Sequence, residues 1–393
     1  MNDLSSKRPL GTGSYDLTGR GGDRPPHAGL YIHIPFCRQK CPYCGFFSVP
    51  SPSLIRPWIK TLLKEILLYG EGFGPFDSLY LGGGTPSLLS IPELTRIMTH
   101  LRAHFQFRPD TEITLEANPC DVSPEKLWGL RELGVNRISL GVQSFDARVL
   151  AFLGRRHTVR DAENAVRHVK EAGFDNISLD LIYGFHAQPL QSWKETLHQA
   201  VSFGPAHLSC YELTIENRTY FGKLVQTGGL SPLSPDEART CFLTTSRLLE
   251  AYGYTHYEIS SFARPENRYA RHNWKYWRHA PYLGLGPSAH SFVNGRRWWN
   301  VRSVRTYMAL LNRDERPVGG FEDLTDTQLR LEAVALGLRT REGVPLDRIG
   351  PSMEAQSRLS RLTDAGFLEL CNGRARPTRK GFLVADYLPA YLC

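Results

Sequence analysis

Six times from residue 30 onward the chain alternates a short apolar run with a longer amphipathic one. Residues 30–36, 78–81, 112–117, 137–142, 176–183 and 207–213 are short and rich in Ile, Leu, Val and Tyr, as buried strands require. Between and after them, helical spacing covers about 53–70, 91–106, 124–133, 159–173, 191–203 and 235–252. Ser123-Pro124 and Ser234-Pro235 read as capping serines followed by a proline at the first helical position. Gly134 and Gly173 fit the residue that closes a helix. Strands and helices alternating in this way predict βα units on a parallel sheet. In a closed or partly closed barrel of such units, the site lies where the strands end. Polar and flexible residues collect at those ends: Gly82-Gly83-Gly84, Glu116 with Asn118, Gln143, Asp180 and Glu212. They predict one shared mouth; the plainer reading of Glu116 and Asp180 is that each caps the helix that follows.

The other segments are less regular. Residues 256–300 are dense in aromatics, His, Arg and Gly, and fit neither a simple helix nor a strand. From about 320 helical spacing returns, followed by a short basic hairpin-like piece, which predicts a small winged-helix-like domain. The expected organisation is a polar tail over 1–28, a (β/α) barrel over 29–255, an aromatic extension over 256–318 and the C-terminal domain over 319–393. Hydrophobic residues make up 41 % of the 393 positions, enough for a large core, and this excludes a disordered or collagenous chain. No run of about 18 apolar residues predicts a spanning helix. The N-terminal stretch lacks the apolar segment of a secretory signal, so a cytoplasmic protein is expected. With 47 basic against 39 acidic residues the formal charge is +8, and the charges are spread out. Nothing in that pattern calls for nucleic acid. A weak attraction to an anionic membrane or to small anions is compatible with it.

Three of the eight cysteines fall within eight residues, as Cys37-x3-Cys41-x2-Cys44 directly after the first strand. Clustered cysteines in a chain of this size point to metal rather than to disulfides. A loop of this spacing can hold three irons of a [4Fe–4S] cube, one thiolate per iron, and leave the fourth open to a small ligand. Zinc competes for thiolates, and would take a fourth ligand such as His33.

The C-x3-C-x2-C spacing resembles the signature of the radical S-adenosylmethionine (SAM) superfamily. Tyr31-x-His33-Ile-Pro-Phe-Cys37, Gly82-Gly-Gly-Thr85-Pro, Gly141-Val-Gln-Ser-Phe145 and Asp180-Leu-Ile-Tyr-Gly184 resemble oxygen-independent coproporphyrinogen III oxidase and its relatives. The likeness spans about residues 30–300 and continues more loosely into the C-terminal domain. It implies an α/β fold: a partial (β/α)6 radical-SAM barrel, an additional α/β segment and the winged-helix-like domain. It implies a cluster on Cys37, Cys41 and Cys44 whose open iron is chelated by SAM, which the reduced cluster cleaves to a 5′-deoxyadenosyl radical. It implies SAM contacts from Gly83, Gly84, Thr85 and Glu116, from Tyr31 and Tyr43, and from Gln143, Arg155 and Asp180, the last three in part to a second SAM molecule.

Two features distinguish branches of that family. The oxidases carry a further cysteine two residues after the third; here that position is Phe46, as in the branch of HemW heme chaperones. His272-Asn-Trp-Lys-Tyr276-Trp277 resembles that branch's H-N-x-x-Y-W element, which implies heme contact at His272, with Arg271, Arg278, Arg296 and Arg297 as partners for propionates. His290 is a second candidate heme ligand. The resemblance thus implies a cytoplasmic heme chaperone that holds a [4Fe–4S] cluster, SAM and heme, and delivers heme to respiratory or membrane acceptors. A homodimer and peripheral membrane contact are compatible with it. The alternative is radical-SAM decarboxylation of coproporphyrinogen III to protoporphyrinogen IX, which Phe46 disfavours; a third reading is action on another tetrapyrrole.

Overall fold

The structure is a computed structural model that describes residues 27–70, 73–185 and 188–393. The expected polar tail over 1–28 lies outside these residues, apart from its last two. Those two already belong to the fold. Ala28 is buried and opens β1 (Ala28–Ile34), and the His27 carbonyl accepts from Lys275 Nζ at 2.6 Å. The expected boundary after residue 28 therefore cuts into the first strand, because alanine and glycine carry little strand signal.

β1 pairs in parallel with β2 (Phe76–Gly83), and the ladder continues in chain order through β3 (Phe107–Ala117), β4 (Arg137–Gln143), β5 (Asn176–Tyr183) and β6 (His207–Glu212). The connections carry α1 (Ile55–Tyr69), α2 (Ile91–His104), α3 (Pro124–Glu132), α4 (Ala147–Phe152), α5 (Val159–Glu171) and α6 (Leu190–Ser202); α7 (Tyr220–Gln226) and α8 (Pro235–Ala251) follow β6. Ser123 and Ser234 cap α3 and α8 by accepting from Lys126 and Glu237 N–H groups, as their sequence context predicts. Gly134 and Gly173 close α3 and α5 at φ +84° and +81°. α4 and α7 escape sequence reading because one or two turns are too short to show a helical period.

Period-2 alternation divides each strand between two environments. Leu30, Ile32 and Ile34 of β1, Leu79 and Leu81 of β2, Ile138, Leu140 and Val142 of β4, and Ile177, Leu179 and Leu181 of β5 face the helices. They pack on Trp58 and Ile66 of α1, Leu94 and Leu101 of α2, Val166 of α5 and Trp193 of α6. Each such side chain contributes about 1.5–3 kcal/mol by leaving water. The opposite positions read Tyr31 and His33, Tyr80 and Gly82, Glu116 and Asn118, Arg137, Ser139 and Gly141, Ser178 and Asp180, Ser209 and Tyr211. A closed α/β barrel fills its interior with branched apolar layers. This one is lined with polar groups and holds a cavity instead.

The aromatic stretch expected to be irregular is the part of the chain that extends the sheet at both edges. β7 (Thr255–Glu258) and β8 (Ser261–Ala263) add to β6, antiparallel. The chain then crosses beneath the barrel as α9 (Arg271–Trp277) and returns on the far edge. There β9 (Tyr282–Leu285) runs parallel to β1, and β10 (His290–Val293), β11 (Arg296–Asn300) and β12 (Val318–Asp323) follow antiparallel, with α10 (Val304–Asn312) between the last two. The described residues thus form a 12-stranded sheet in the order β12-β11-β10-β9-β1-β2-β3-β4-β5-β6-β8-β7. The boundary expected at 318/319 is moved by this pairing, because β12 is hydrogen-bonded to β11 and belongs with the sheet.

Beyond it, α11 (Asp326–Gly337), β13 (Val344–Pro345), α12 (Leu346–Ile349), α13 (Met353–Asp364), β14 (Leu368–Cys371) and β15 (Arg374–Pro377) surround a separate small core. β14 and β15 form the expected wing. Arg374 of the wing donates to the Glu342 and Gly343 carbonyls, and Lys380, just after it, to that of Ala365.

Candidate functional site

A cavity of about 430 Å³ opens at the carboxyl ends of the strands. The cysteine loop forms part of its wall. Cys37 and Val49 bracket that loop with paired backbone bonds, Cys37 N to Val49 O at 3.2 Å and Val49 N to Pro35 O at 2.7 Å. Within it Cys44 N donates to Cys41 O at 3.1 Å, and Lys40 Nζ donates to Phe46 O at 2.7 Å. All three thiols are free of disulfides and line the cavity. Phe46 stands beside them at the mouth, 72 % exposed, where the oxidases have a fourth thiol.

The donor set fits a multi-iron group better than a single ion. His33, the fourth ligand a zinc site would use, has both ring nitrogens engaged, with Tyr31 OH at 3.0 Å and Phe47 O at 2.8 Å. Three thiols on one loop facing one cavity suit a cube that takes one thiolate per iron.

Tyr31, Tyr43, Gly83, Gly84, Thr85, Glu116, Gln143, Arg155 and Asp180 all line this same cavity. The glycines are there for space. A Cβ on Gly84 would lie 2.5 Å from the Phe36 carbonyl oxygen, and Gly83, at φ +110°, would place one 2.7 Å from the His33 ring. Glu116 accepts from Tyr80 OH at 2.8 Å and from Gly83 N at 3.2 Å. Burial nevertheless pushes its carboxyl up to about 7. Asp180, also raised by burial, accepts from Ser139 at 3.0 Å and Ser178 at 3.3 Å. Neither carboxylate caps a helix; both are held inward, ready for a cationic partner.

Arg155 reaches across the mouth. It donates to the Gly141 carbonyl at 2.8 Å and approaches Cys41 Sγ and Tyr43 OH, each at 3.5 Å, which leaves its buried Nε without a partner. A guanidinium with an unspent N–H can take a ligand carboxylate. Gln143 sits at φ 67° after a bulge in β4, a left-handed conformation that glutamine rarely adopts and that aims its amide at the mouth.

Sequence reading at the strand ends missed the deeper residues. Tyr80, Arg137, Ser139, Ser209, Tyr211 and Asn273 also line the cavity. Arg137 is 1 % exposed, with no partner on Nε or Nη1. The signal was available, since polar residues occupy alternate positions along every inner strand.

His272 is placed elsewhere. It lies under the barrel on α9, 1 % exposed, with Nδ1 3.0 Å from Ser78 Oγ and Nε2 2.9 Å from Tyr276 OH. Its ring packs on Tyr80 and Tyr31, with centroids 5.3 and 6.1 Å away. Burial pushes its pKa down to about 3. With both nitrogens engaged and no open side, this imidazole offers no iron ligand in the present conformation, contrary to the expected heme contact. Lys275 of the same helix pairs with Asp77 at 2.5 Å, and Trp274 packs on Tyr257 and Tyr269. The arginines expected to pair with propionates are also taken: Arg271 by Asp110, Arg278 by Glu342, Arg296 by Asp323, and Arg297 by Glu322 and Glu332.

Comparison with known proteins agrees with this geometry. Residues 31–200 match the radical SAM superfamily and residues 324–384 match the HemN C-terminal domain. The chain is 35 % identical over 364 residues to the heme chaperone HemW of Mycobacterium tuberculosis, covering 91 % of this chain and 93 % of that one. It is 37 % identical over 324 residues to the heme chaperone HemW of Synechocystis sp., covering 80 % and 78 %. Among solved structures, coproporphyrinogen III oxidase (HemN) from Escherichia coli matches with a TM-score of 0.79 over 94 % of this chain and 90 % of that one. At 23 % identity that likeness is one of fold.

Proposed function

The chain belongs to the family of HemW heme chaperones within the radical SAM superfamily, and on that premise we propose that it binds heme beside a cluster-and-SAM site and passes the heme to acceptor proteins. The observation that carries the reading is that three thiols and nine residues of SAM-binding type line one cavity, with the exposed Phe46 at the oxidases' fourth thiol position. Cys37, Cys41 and Cys44 would hold the [4Fe–4S] cluster. When bound, the cluster and SAM supply one-electron reductive chemistry at the mouth.

The protein's own groups do the holding. Gly83 and Gly84 let a ligand approach the backbone. Glu116 and Asp180 face its amino group. Arg155 faces its carboxylate, and Tyr31 and Tyr43 offer ring faces. Because Glu116 keeps its proton up to about pH 7, taking up a cationic amino group there releases a proton. Among the described residues no helix is long and apolar enough to cross a membrane. Delivery from the cytoplasm to membrane or respiratory acceptors, through peripheral contact or as a homodimer, belongs to the same proposal.

The test is anaerobic. Cluster-reconstituted protein is incubated with SAM, a reductant and coproporphyrinogen III, while heme is titrated in parallel through the Soret band. The expected result is stoichiometric heme binding without decarboxylation. Formation of protoporphyrinogen IX would overturn the reading in favour of the oxidase. Cys37→Ala should lose the cluster's visible absorbance.

A further inference from the structure

Cross-strand neighbours share a face of a sheet, so the ladder carries the cavity side of β1 outward along the added strands. Tyr31 pairs with Gly284, Tyr282 with Phe292, Phe292 with Arg297, His290 with Trp299, and Trp299 with Gly320. The lower half of this face is covered. Tyr276 of α9 stands edge-on to Tyr282 with centroids 4.8 Å apart, the His279 ring stacks on Phe292 at 4.4 Å, and Glu332 of α11 accepts from Arg297 at 2.6 Å. The upper half carries His290 and Trp299, their ring centroids 5.9 Å apart. The indole is pinned across Gly320, where a Cβ would come within 2.6 Å of its ring.

His290 differs from the buried histidines. His33, His207, His256 and His272 each have both ring nitrogens engaged, and buried His157 has Nε2 on the Val142 carbonyl at 2.9 Å. His290 is exposed, and its ring makes no hydrogen bond. Partial burial and the nearby Arg297 hold its pKa below the ordinary value, so the imidazole is neutral at neutral pH. Arg302, two residues past β11, lies exposed over the Phe47 ring at 5.6 Å and pairs with no carboxylate among the described residues. Beyond the β10–β11 ladder, Asn300 N donates to Ala289 O at 2.8 Å and Ser288 N to Val301 O at 3.0 Å, so the backbone pairing carries Arg302 past the hairpin to Phe47, on the return of the cysteine loop.

We propose that this open half-face is the heme-docking site, with His290 as the axial imidazole, Trp299 backing the macrocycle and Arg302 pairing a propionate. The proposal rests on the heme-chaperone reading above. Three groups of the right chemistry meet there: a lone pair for iron, an apolar ring face for the porphyrin and an unspent cation for a carboxylate. The bond formed is coordination by a neutral nitrogen, so no proton or electron has to be supplied.

The test uses the full chain with its cluster reconstituted, titrated with ferric heme and followed by Soret absorbance and electron paramagnetic resonance. The wild type should show an imidazole-ligated low-spin signal. His290→Gly should lose that signal and bind about tenfold more weakly, and added free imidazole should restore the signal. Arg302→Gln should release heme faster with the spectrum unchanged. His272→Gln should keep the wild-type heme spectrum. Wild-type affinity and spectrum in His290→Gly would overturn the site while leaving the chaperone reading standing. So would loss of the axial signal in His272→Gln with cluster absorbance intact. A wild type that binds no heme would overturn both.

Discussion

Two regions of this molecule have nearly the same ingredients and opposite fates. α9 under the barrel and the β10–β11 hairpin beside it each carry a histidine, tryptophan and arginines within a few residues. On α9 the imidazole is enclosed between Ser78 and Tyr276, and the lysine beside it is neutralised by Asp77. On the hairpin the imidazole stands in the open with both nitrogens free. Residue type therefore says little about role here; hydrogen-bond satisfaction and burial decide it. A buried polar group whose bonds are all made holds the fold together, whereas one left unpaired at a surface is available to a ligand.

That contrast predicts a descending order of effects. The largest should come from Asp77→Ala, which leaves the Lys275 ammonium buried without its counter-charge at the barrel floor. Breaking such a pair costs about 3–5 kcal/mol, measurable by denaturant unfolding. A loss under about 1 kcal/mol would show that the floor is not closed by α9.

Next is pH. Glu65 of α1 accepts from Gly286 N, Asn300 Nδ2 and Tyr307 OH at 2.8, 2.6 and 2.5 Å, tying the β9–β10 turn to the barrel, yet burial lifts its pKa to about 7. Glu116 is lifted equally. The unfolded chain releases these protons near the ordinary value of 4.5, whereas the folded chain retains them to about 7. Stability from these groups is thus complete below the lower value and falls as pH rises through that window, by about 3 kcal/mol per group. Melting curves between those limits should show the fall, and Glu65→Gln should make it shallower. An unchanged slope would mean that Glu65 is ionised in the folded chain.

His272→Ala should cost about 2 kcal/mol, because it leaves the Ser78 and Tyr276 hydroxyls unpaired and a void beneath Tyr80. His290→Ala, at an exposed position without hydrogen bonds, should change stability by less than about 0.5 kcal/mol. Thermal melts of the two variants side by side sharpen the comparison. If His290→Ala is the more damaging, the assignment of structural and open histidines is reversed.

Much of the fold was legible because it is written in local periods. The six parallel strands and the longer helices follow from alternation and capping, and the cysteine triplet needs only its spacing. The candidate SAM residues were found where strands end, since βα topology brings those ends together whatever the loops do. Arg137 was missed because attention to the ends overlooked the inner face, and Asn273 because it reaches the cavity from α9, far along the chain from the strands. The stretch from 256 to 300 was unreadable because its short strands belong to opposite edges of one sheet, and no local pattern records which edge a four-residue strand will join.

The sequence by itself determined the βα alternation, the three-thiolate loop and the absence of a fourth thiol at Phe46, since each depends on residues close together in the chain. Only the tertiary structure decided which histidine is enclosed and which is free. The partner that occupies His272 Nδ1 comes from Ser78, 194 positions away. The indole neighbour of His290 arrives by strand register, and the helices that cover half of that face stop short of it. Burial and hydrogen-bond satisfaction are properties of such distant neighbours, fixed only when the chain has folded.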